Sequence, residues 1–175
     1  MRAQSFSHVG LTVRDFNRTV QFYWEVFGCP LVGVADTPSE RVRTFFGVEG
    51  DAPRCKIGWI RVPGGTTLEI FEFQPQTPPV AVPWNRVGLT HISFNVRGIQ
   101  RWHDYLTAKG IECVSKPERS PRGHFFFFVK DFDGNLIEMI DLGHMYYVLK
   151  WLGPLGGWIF RRGMYRKYYE GTWVR

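Results

Sequence analysis

Cysteine is scarce in this sequence, and its three copies form no recognisable pattern. Cys29, Cys55 and Cys113 are widely separated, and no Cys-x-x-Cys pair is present. The sequence therefore predicts neither a disulfide framework nor a thiolate zinc knuckle. We expect a reduced, cytoplasmic setting, because disulfide-rich frameworks are typical of small secreted domains.

Long apolar runs are also absent. No stretch of 18 apolar residues occurs, so no membrane-spanning helix is predicted. The first residues lack a basic segment followed by an apolar run, so no signal peptide is expected there. The composition is 44% hydrophobic and 22% charged, which is enough to build a core and excludes wholesale disorder.

Negative charge is nearly missing from the C-terminal end of the chain. Of the net charge of +6, residues 143–175 contribute +5 and residues 1–142 only +1, so no nucleic-acid-binding face is predicted on the body. The same extension carries nine aromatic side chains, and GPLGG, from Gly153 to Gly157, predicts two short helical stretches. We expect it to pack against the body or a second chain, with a peripheral membrane contact as the alternative.

The rest of the chain contains an internal repeat. One copy begins with HVGLTVR at His8, and the other begins with HISFNVR at His91. Each copy predicts an alternating strand, a polar turn and a helix that ends at a glycine, Gly28 or Gly110.

A hairpin completes each copy, because Gly-Gly or Asp-Gly separates two strand-like segments. The first strand of each hairpin is Lys56–Val62 or Phe125–Lys130. A further strand is predicted near Arg41–Phe46, with a counterpart near Glu112–Ser115. The sequence thus predicts an α+β fold of two βαβββ modules, residues 4–74 and 86–142, joined by a Pro-rich linker, 75–85, and followed by the extension, 143–175.

Each copy offers one histidine at the start of its first strand and one glutamate in its last strand. Side chains alternate across a strand, so Glu69 shares a face with Phe71 and Glu138 shares one with Ile140. A carboxylate among apolar neighbours is costly unless it is paired. Imidazole and carboxylate together suit Zn, Ni, Co, Fe or Mn. We therefore predict one divalent-metal site, built from His8, Glu69, His91 and Glu138.

Together with Phe22, Tyr23 and the segment DFDGNLIE that ends at Glu138, these residues resemble the vicinal oxygen chelate superfamily, which includes glyoxalase I, bleomycin-resistance proteins and extradiol dioxygenases. The resemblance covers residues 5–142 and implies a cupped mixed sheet around a metal that binds a small-molecule substrate. It implies a lyase or an isomerase/epimerase that transfers a proton next to a carbonyl, through a metal-chelated enediolate. Glu138 is the first candidate for the base and Glu69 the second.

Departures from glyoxalase I narrow the interpretation. Thr12 and Phe73 stand where that enzyme usually has an arginine and an asparagine, which weighs against a glutathione substrate. The opening HVGLTV is more similar to methylmalonyl-CoA epimerase. His124 is a candidate proton carrier, with an ordinary loop histidine as the alternative. A homodimer is expected, and two other functions stay open: a non-catalytic, resistance-type binding protein and an iron-dependent extradiol-type dioxygenase.

Overall fold

A computed structural model of the chain describes residues 3–79 and 83–170. Two compact units make up the described part. One runs up to Thr90 and includes Lys130–Leu136, and the other comprises His91–Val129 and the chain from Ile137 onward. Each unit is built on one four-stranded sheet with its helices, which confirms the predicted α+β class.

The first unit follows the predicted βαβββ order, with one extra helix. Its elements are β1 (His8–Thr12), α1 (Phe16–Phe27), β2 (Leu31–Thr37), α2 (Ser39–Phe46), β3 (Arg54–Arg61) and β4 (Thr67–Gln74). The strand order in the sheet is β1-β4-β3-β2. β1 is parallel to β4, and the other neighbouring pairs are antiparallel.

Local chemistry explains where α1 begins and ends. The Asp15 side chain accepts a hydrogen bond from the Arg18 backbone N–H at 2.9 Å, and Gly28 ends the helix at φ 66°. Phe16 packs against β3 so closely that a Cβ atom at position 58 would lie 2.6 Å from its ring. Gly58 therefore allows α1 to approach the sheet.

The second unit repeats the same plan. Its elements are β5 (His91–Asn95), α3 (Ile99–Ala108), β6 (Glu118–Arg119), β7 (Phe125–Lys130), β8 (Leu136–Asp141), α4 (Met145–Arg162) and a 3₁₀ turn (Arg166–Tyr168). The strand order β5-β8-β7-β6 matches that of the first sheet, position for position.

The hydrogen-bond register confirms the internal repeat. The Val13 N–H donates to the Phe71 carbonyl at 2.8 Å, and the Val96 N–H donates to the Ile140 carbonyl at the same distance. Val13 and Val96 each lie five residues after the histidine that begins their copy. Within each module the first strand therefore pairs with the last strand, and the register of this pairing is the same in both modules.

The predicted strand near Arg41–Phe46 is wrong, because this segment is the helix α2. The least exposed side chains of this segment, Ser39, Val42 and Phe46, are three and four residues apart, which is helical spacing. Gly47 at φ 66° ends the helix. The strand that completes the sheet is β2, which the sequence analysis missed. Its side chains alternate only between half-buried and exposed, so its apolar pattern is weak.

Two further predictions need correction. Glu112–Ser115 contributes one bridge, between Cys113 and Val129, and is not a strand. The edge strand beside β7 is instead the two-residue β6. Residues 145–162 of the extension form one helix, α4, and not two stretches, because the helix continues through Pro154. A proline inside a helix loses its own backbone N–H bond and crowds the carbonyl four residues earlier, so Pro154 weakens α4 without ending it.

The predicted linker and the predicted absence of a membrane-spanning helix can also be compared with the structure. Residues 75–79 of the predicted linker form neither helix nor strand, and residues 80–82 lie outside the described residues. Among the helices of the described ranges, none is long and apolar enough to cross a membrane.

Candidate metal centre

The first predicted His–Glu pair comes together on one face of the first sheet. Gly10 of β1 lies opposite Glu69 of β4, so His8, two residues earlier, is on the same face as this carboxylate. His8 Nε2 lies 3.1 Å from Glu69 Oε2. The other ring nitrogen, Nδ1, lies 3.1 Å from the Ser7 hydroxyl oxygen. The glutamate side chain is 15% exposed and the imidazole 44%, so the pair opens to solvent through the histidine.

The second pair repeats this arrangement in the second unit. His91 Nε2 lies 3.7 Å from Glu138 Oε2, which are the same two atom types as in the first pair. The Ser93 hydroxyl donates a hydrogen bond to Glu138 Oε2 at 2.7 Å. Both contacts fall on one oxygen of the carboxylate, so Oε2 is the oxygen that the protein holds in place.

Ser93 makes the two pairs chemically different. It lies two residues after His91, and the equivalent residue of the first module is Gly10. Glu69 is therefore held by its histidine, whereas Glu138 is held by a hydroxyl with the histidine farther away. Strand alternation places Ser93 on the same face as His91, but the sequence analysis missed its contact with Glu138. The sequence signal for this contact is that Gly10 and Ser93 occupy equivalent positions of the two repeats.

The last strand of each module, β4 or β8, carries a second carboxylate, and this carboxylate has a structural role. Glu72 and Asp141 lie three residues after Glu69 and Glu138, so they point to the opposite face of the strand. The Phe16 N–H donates to Glu72 Oε2 at 2.6 Å, and the Gly98 N–H donates to Asp141 Oδ2 at 3.0 Å. These carboxylates accept from the backbone where α1 and α3 begin, a position that favours negative charge.

The turn Asp131–Asn135, which carries part of the family resemblance, is also structural. Asp131 Oδ1 accepts hydrogen bonds from the Asp133 N–H at 2.9 Å and the Asn135 N–H at 2.8 Å. Burial raises the pKa of the Asp131 carboxyl above its ordinary value. Asp133 forms an ion pair with Arg14 at 2.6 Å. The turn therefore shapes the chain between β7 and β8 and fixes it to the residues after β1.

Aromatic rings border the His8–Glu69 pair. Phe71 and Phe73 follow Glu69 on the same face of β4, and their rings are parallel to within 5° at 6.1 Å. Phe46 of α2 contacts both rings, at 5.9 Å from Phe71 and 5.3 Å from Phe73. We call the His8–Glu69 pair the first half-site and the His91–Glu138 pair the second half-site. The three rings form an aromatic wall beside the first half-site, which agrees with the apolar neighbours that the sequence predicted for Glu69.

The second half-site has aromatic neighbours of its own. The Phe128 ring meets the His91 imidazole edge to face at 5.3 Å, and Phe126 contacts Phe128 at 5.8 Å. Both phenylalanines belong to β7. Rings next to an imidazole restrict its rotation and exclude water from one side of it.

The structure does not bring the third catalytic candidate, His124, to the His91–Glu138 pair. Its backbone closes the hairpin between β6 and β7, where the Ser120 N–H donates to the His124 carbonyl at 2.7 Å. It lies four residues before Phe128 along the strand, which corresponds to about 13 Å. The role of His124 as a proton carrier stays a prediction.

The donor atoms fit a divalent ion in part. Within each pair an imidazole Nε2 lies near a carboxylate Oε2, and both groups are ligands for borderline divalent metals. Ser7 and Ser93 supply the outer hydrogen bonds that usually orient such ligands. Within residues 3–79 and 83–170, no group of three or more His, Cys, Asp or Glu side chains is close enough together to hold a metal. Each unit thus presents one imidazole and one carboxylate.

The fold and the paired half-sites define a class of protein, and comparison with known families identifies it. Residues 5–139 match the profile of the Glyoxalase/Bleomycin resistance protein/Dioxygenase superfamily. The chain belongs to this superfamily. The match spans both modules and includes all four predicted ligands.

Named relatives of the chain include a lyase and an epimerase. A lactoylglutathione lyase of Arabidopsis thaliana is 26% identical over 139 residues, which are 79% of this chain and 44% of that protein. The chain thus spans less than half the length of this plant relative. A 2-epi-5-epi-valiolone epimerase of an Actinomyces species is 27% identical over 149 residues, 80% of each chain.

Solved structures share the fold at low sequence identity. A glyoxalase family protein from Bacillus cereus superposes with a TM-score of 0.67 at 21% identity, covering 81% of this chain and 95% of that one. The trypanothione-dependent glyoxalase I of Leishmania major gives a TM-score of 0.61 at 18% identity, covering 89% and 99%. At these identities the likeness shows the fold alone.

Proposed function

We propose that His8, Glu69, His91 and Glu138 together hold one divalent ion (Zn, Ni, Co, Fe or Mn) and that the chain is a lyase or an isomerase/epimerase acting next to a carbonyl. The observation that carries the proposal is the repeated pair, in which each module presents a histidine Nε2 beside a glutamate Oε2 at the same register. Two unrelated surface pairs would have no reason to share strand, register and atom type. The relatives named as a lyase and an epimerase support this class of reaction.

The proposed proton transfer assigns a separate role to each of the residues around the metal. A bound divalent ion would act as a Lewis acid toward the substrate carbonyl. Glu138 takes the proton from the carbon next to that carbonyl, so the C–H bond breaks and its electron pair stays on the substrate. Because Ser93 and His91 both contact Oε2, we expect the proton to go to Oε1. Return of the proton to the neighbouring carbon gives isomerisation. Epimerisation instead requires a second acid that delivers a proton to the opposite face of the same carbon. Glu69 is the second candidate for the base.

The aromatic wall supports a small substrate with an apolar part. Phe73, which replaces the asparagine usual in glyoxalase I, packs against Phe46 and Phe71 beside Glu69. Thr12, which replaces the usual arginine, offers no positive charge to a carboxylate of glutathione. We therefore propose a small carbonyl or hydroxy-acid-type substrate ahead of a glutathione adduct.

Exchange of solvent deuterium tests the reaction class directly. The metal-loaded full chain is incubated in D₂O with a panel of 2-hydroxycarbonyl compounds and with the methylglyoxal–glutathione hemithioacetal, and NMR follows the proton next to the carbonyl. We expect deuterium to enter at least one compound. Glu138→Gln should lower the rate by about 10²- to 10⁴-fold. Glu25→Gln, a change on the exposed side of α1, is the matched control and should leave the rate unchanged.

Two results would replace this proposal with one of the alternatives. Oxygen uptake with a catechol and an iron-loaded chain would indicate an extradiol-type dioxygenase. Saturable binding of a compound without exchange or turnover would indicate a resistance-type binding protein.

A further inference from the structure

The helix α4 exposes nearly all of its apolar side chains. None of its 18 residues is buried. Trp151 is 70% exposed, Leu155 is 57% exposed and Trp158 is 50% exposed. An exposed apolar surface of this extent normally marks a binding surface.

The apolar residues cover most of the helix circumference. At 3.6 residues per turn, Trp151, Leu155 and Trp158 lie on one side within about 60° of one another, and Arg162 follows them on that side. Lys150 and Arg161 lie about 90° around the helix from this side. The remaining large apolar residues continue the first side around the helix: Met145, Val148, Leu149, Leu152, Ile159 and Phe160. A water-exposed helix with so wide an apolar side needs an apolar medium against it.

Positive charge is concentrated where this helix ends. Arg161, Arg162 and Arg166 line a groove of about 520 Å³ together with Tyr169 and Glu170. Glu170 forms an ion pair with Arg166 at 2.7 Å. The Arg162 guanidinium lies over the Trp158 ring at 4.6 Å, so the basic groove adjoins the apolar side. Between residues 143 and 169 the sequence contains no acidic residue.

We infer that α4 and the groove after it bind the surface of an anionic phospholipid bilayer. Trp and Tyr rings with flanking cations are typical of helices that lie in the membrane interface. α4 is not apolar enough to span a bilayer, so it would lie along the surface. The basic groove is complementary to anionic headgroups. Pairing of this segment with a second copy of itself would instead bring Lys150, Arg161 and Arg162 near like charges. Glu170, the acidic residue at the end of the segment, is already paired with Arg166.

Vesicle flotation of the full chain tests the inference. We expect the protein to float with vesicles of phosphatidylcholine and 30% phosphatidylserine and to stay behind with phosphatidylcholine alone. Trp151→Ser with Trp158→Ser should weaken partitioning about a hundredfold, since each buried aromatic ring contributes roughly tenfold or more. Arg161→Gln with Arg162→Gln should weaken partitioning about fivefold for each charge removed. Added salt should also weaken the partitioning of the wild type.

Two matched variants control for loss of an exposed side chain elsewhere. Trp24→Ser, at a tryptophan 57% exposed on α1, and Arg41→Gln with Arg54→Gln, in the first unit, should float like the wild type. Absence of flotation with every composition, or flotation that the α4 variants leave unchanged, would overturn the inference. The inference would also fail if the wild type did not float with any vesicles but formed a stable dimer that the Trp151→Ser/Trp158→Ser substitutions dissociate. The helix α4 would then be a contact between copies of the chain.

Discussion

At the scale of single residues, Ser93 distinguishes the two half-sites, and its hydroxyl can be removed without filling or emptying the core. Ser93→Ala removes the 2.7 Å hydrogen bond to Glu138. Loss of an outer hydrogen bond to a ligand typically costs about tenfold to a hundredfold in metal affinity or activity. We predict a loss of this size in chelator competition, and in kcat more than in KM, with an unchanged unfolding midpoint.

Thr44→Ala provides the control for Ser93→Ala. Thr44 is an exposed hydroxyl residue of α2 that donates to the Glu40 carbonyl at 2.9 Å. Its removal should leave metal affinity unchanged. Equal metal affinity in Ser93→Ala and the wild type would show that the hydroxyl does not position Glu138.

The cysteines give a pH-dependent prediction at the same scale. Burial raises the pKa of the Cys29 and Cys55 thiols to about 11, and Glu69 adds to the effect at Cys55. At pH 8 only about one in a thousand of these thiols is the reactive thiolate. In the native protein iodoacetamide should therefore modify the half-buried Cys113 first, and the other two should react faster as the pH rises toward 11. Mass spectrometry of the labelled peptides measures this, and rapid native labelling of Cys29 at pH 8 would contradict it.

Strand alternation in the sequence places one histidine and one glutamate in each copy of the repeat, and in the structure each histidine lies near the glutamate of its own copy. That all four residues hold one metal ion stays a prediction. The sequence analysis missed the helix-start carboxylates Glu72 and Asp141. Their role depends on a backbone N–H whose position is fixed only when the helix packs on the sheet.

At the scale of elements, the close approach of α1 to β3 can be tested at Gly58. A methyl group there would lie 2.6 Å from the Phe16 ring, so the helix or the ring must move. We predict that Gly58→Ala lowers the free energy of unfolding by about 1–3 kcal/mol. Urea denaturation measures this change.

A second glycine-to-alanine change checks that explanation. Gly156 lies in α4 with open space around it, so Gly156→Ala should be neutral or stabilise the helix by up to about 1 kcal/mol. If the two variants lose equal stability, crowding against Phe16 is not the cause.

Element types were predicted best where both periodicity and end signals were present. α1 ends at Gly28, as the sequence predicted, and in the structure Asp15 caps its start. α2 is short and was assigned as a strand to complete the module, whereas β2 is half-exposed along its length. Propensity in such segments is weak, and the sheet partners that decide between helix and strand are distant in sequence.

At the scale of the whole molecule, the repeat carries most of the information. Both sheets have the same strand order, and a superfamily profile matches residues 5–139. The extension after residue 142 lies outside the repeat, and its helix was predicted as two pieces because Pro154 and three glycines are strong breaking signals. Substrate identity does not follow from the fold, since related folds support different reactions. The homodimer likewise remains a prediction, which light scattering of the purified chain can check.

The central claim is that both half-sites serve one metal ion, and elemental analysis of the purified full chain tests it most directly. After separate loading with Zn, Ni, Co, Fe and Mn and removal of free ions, the wild type should retain about one ion per chain of at least one metal. His8→Ala, from the first half-site, and Glu138→Gln, from the second, should each reduce that occupancy strongly, whereas His144→Ala and Glu25→Gln should not. A wild-type chain that retains no stoichiometric metal under any loading would contradict the account.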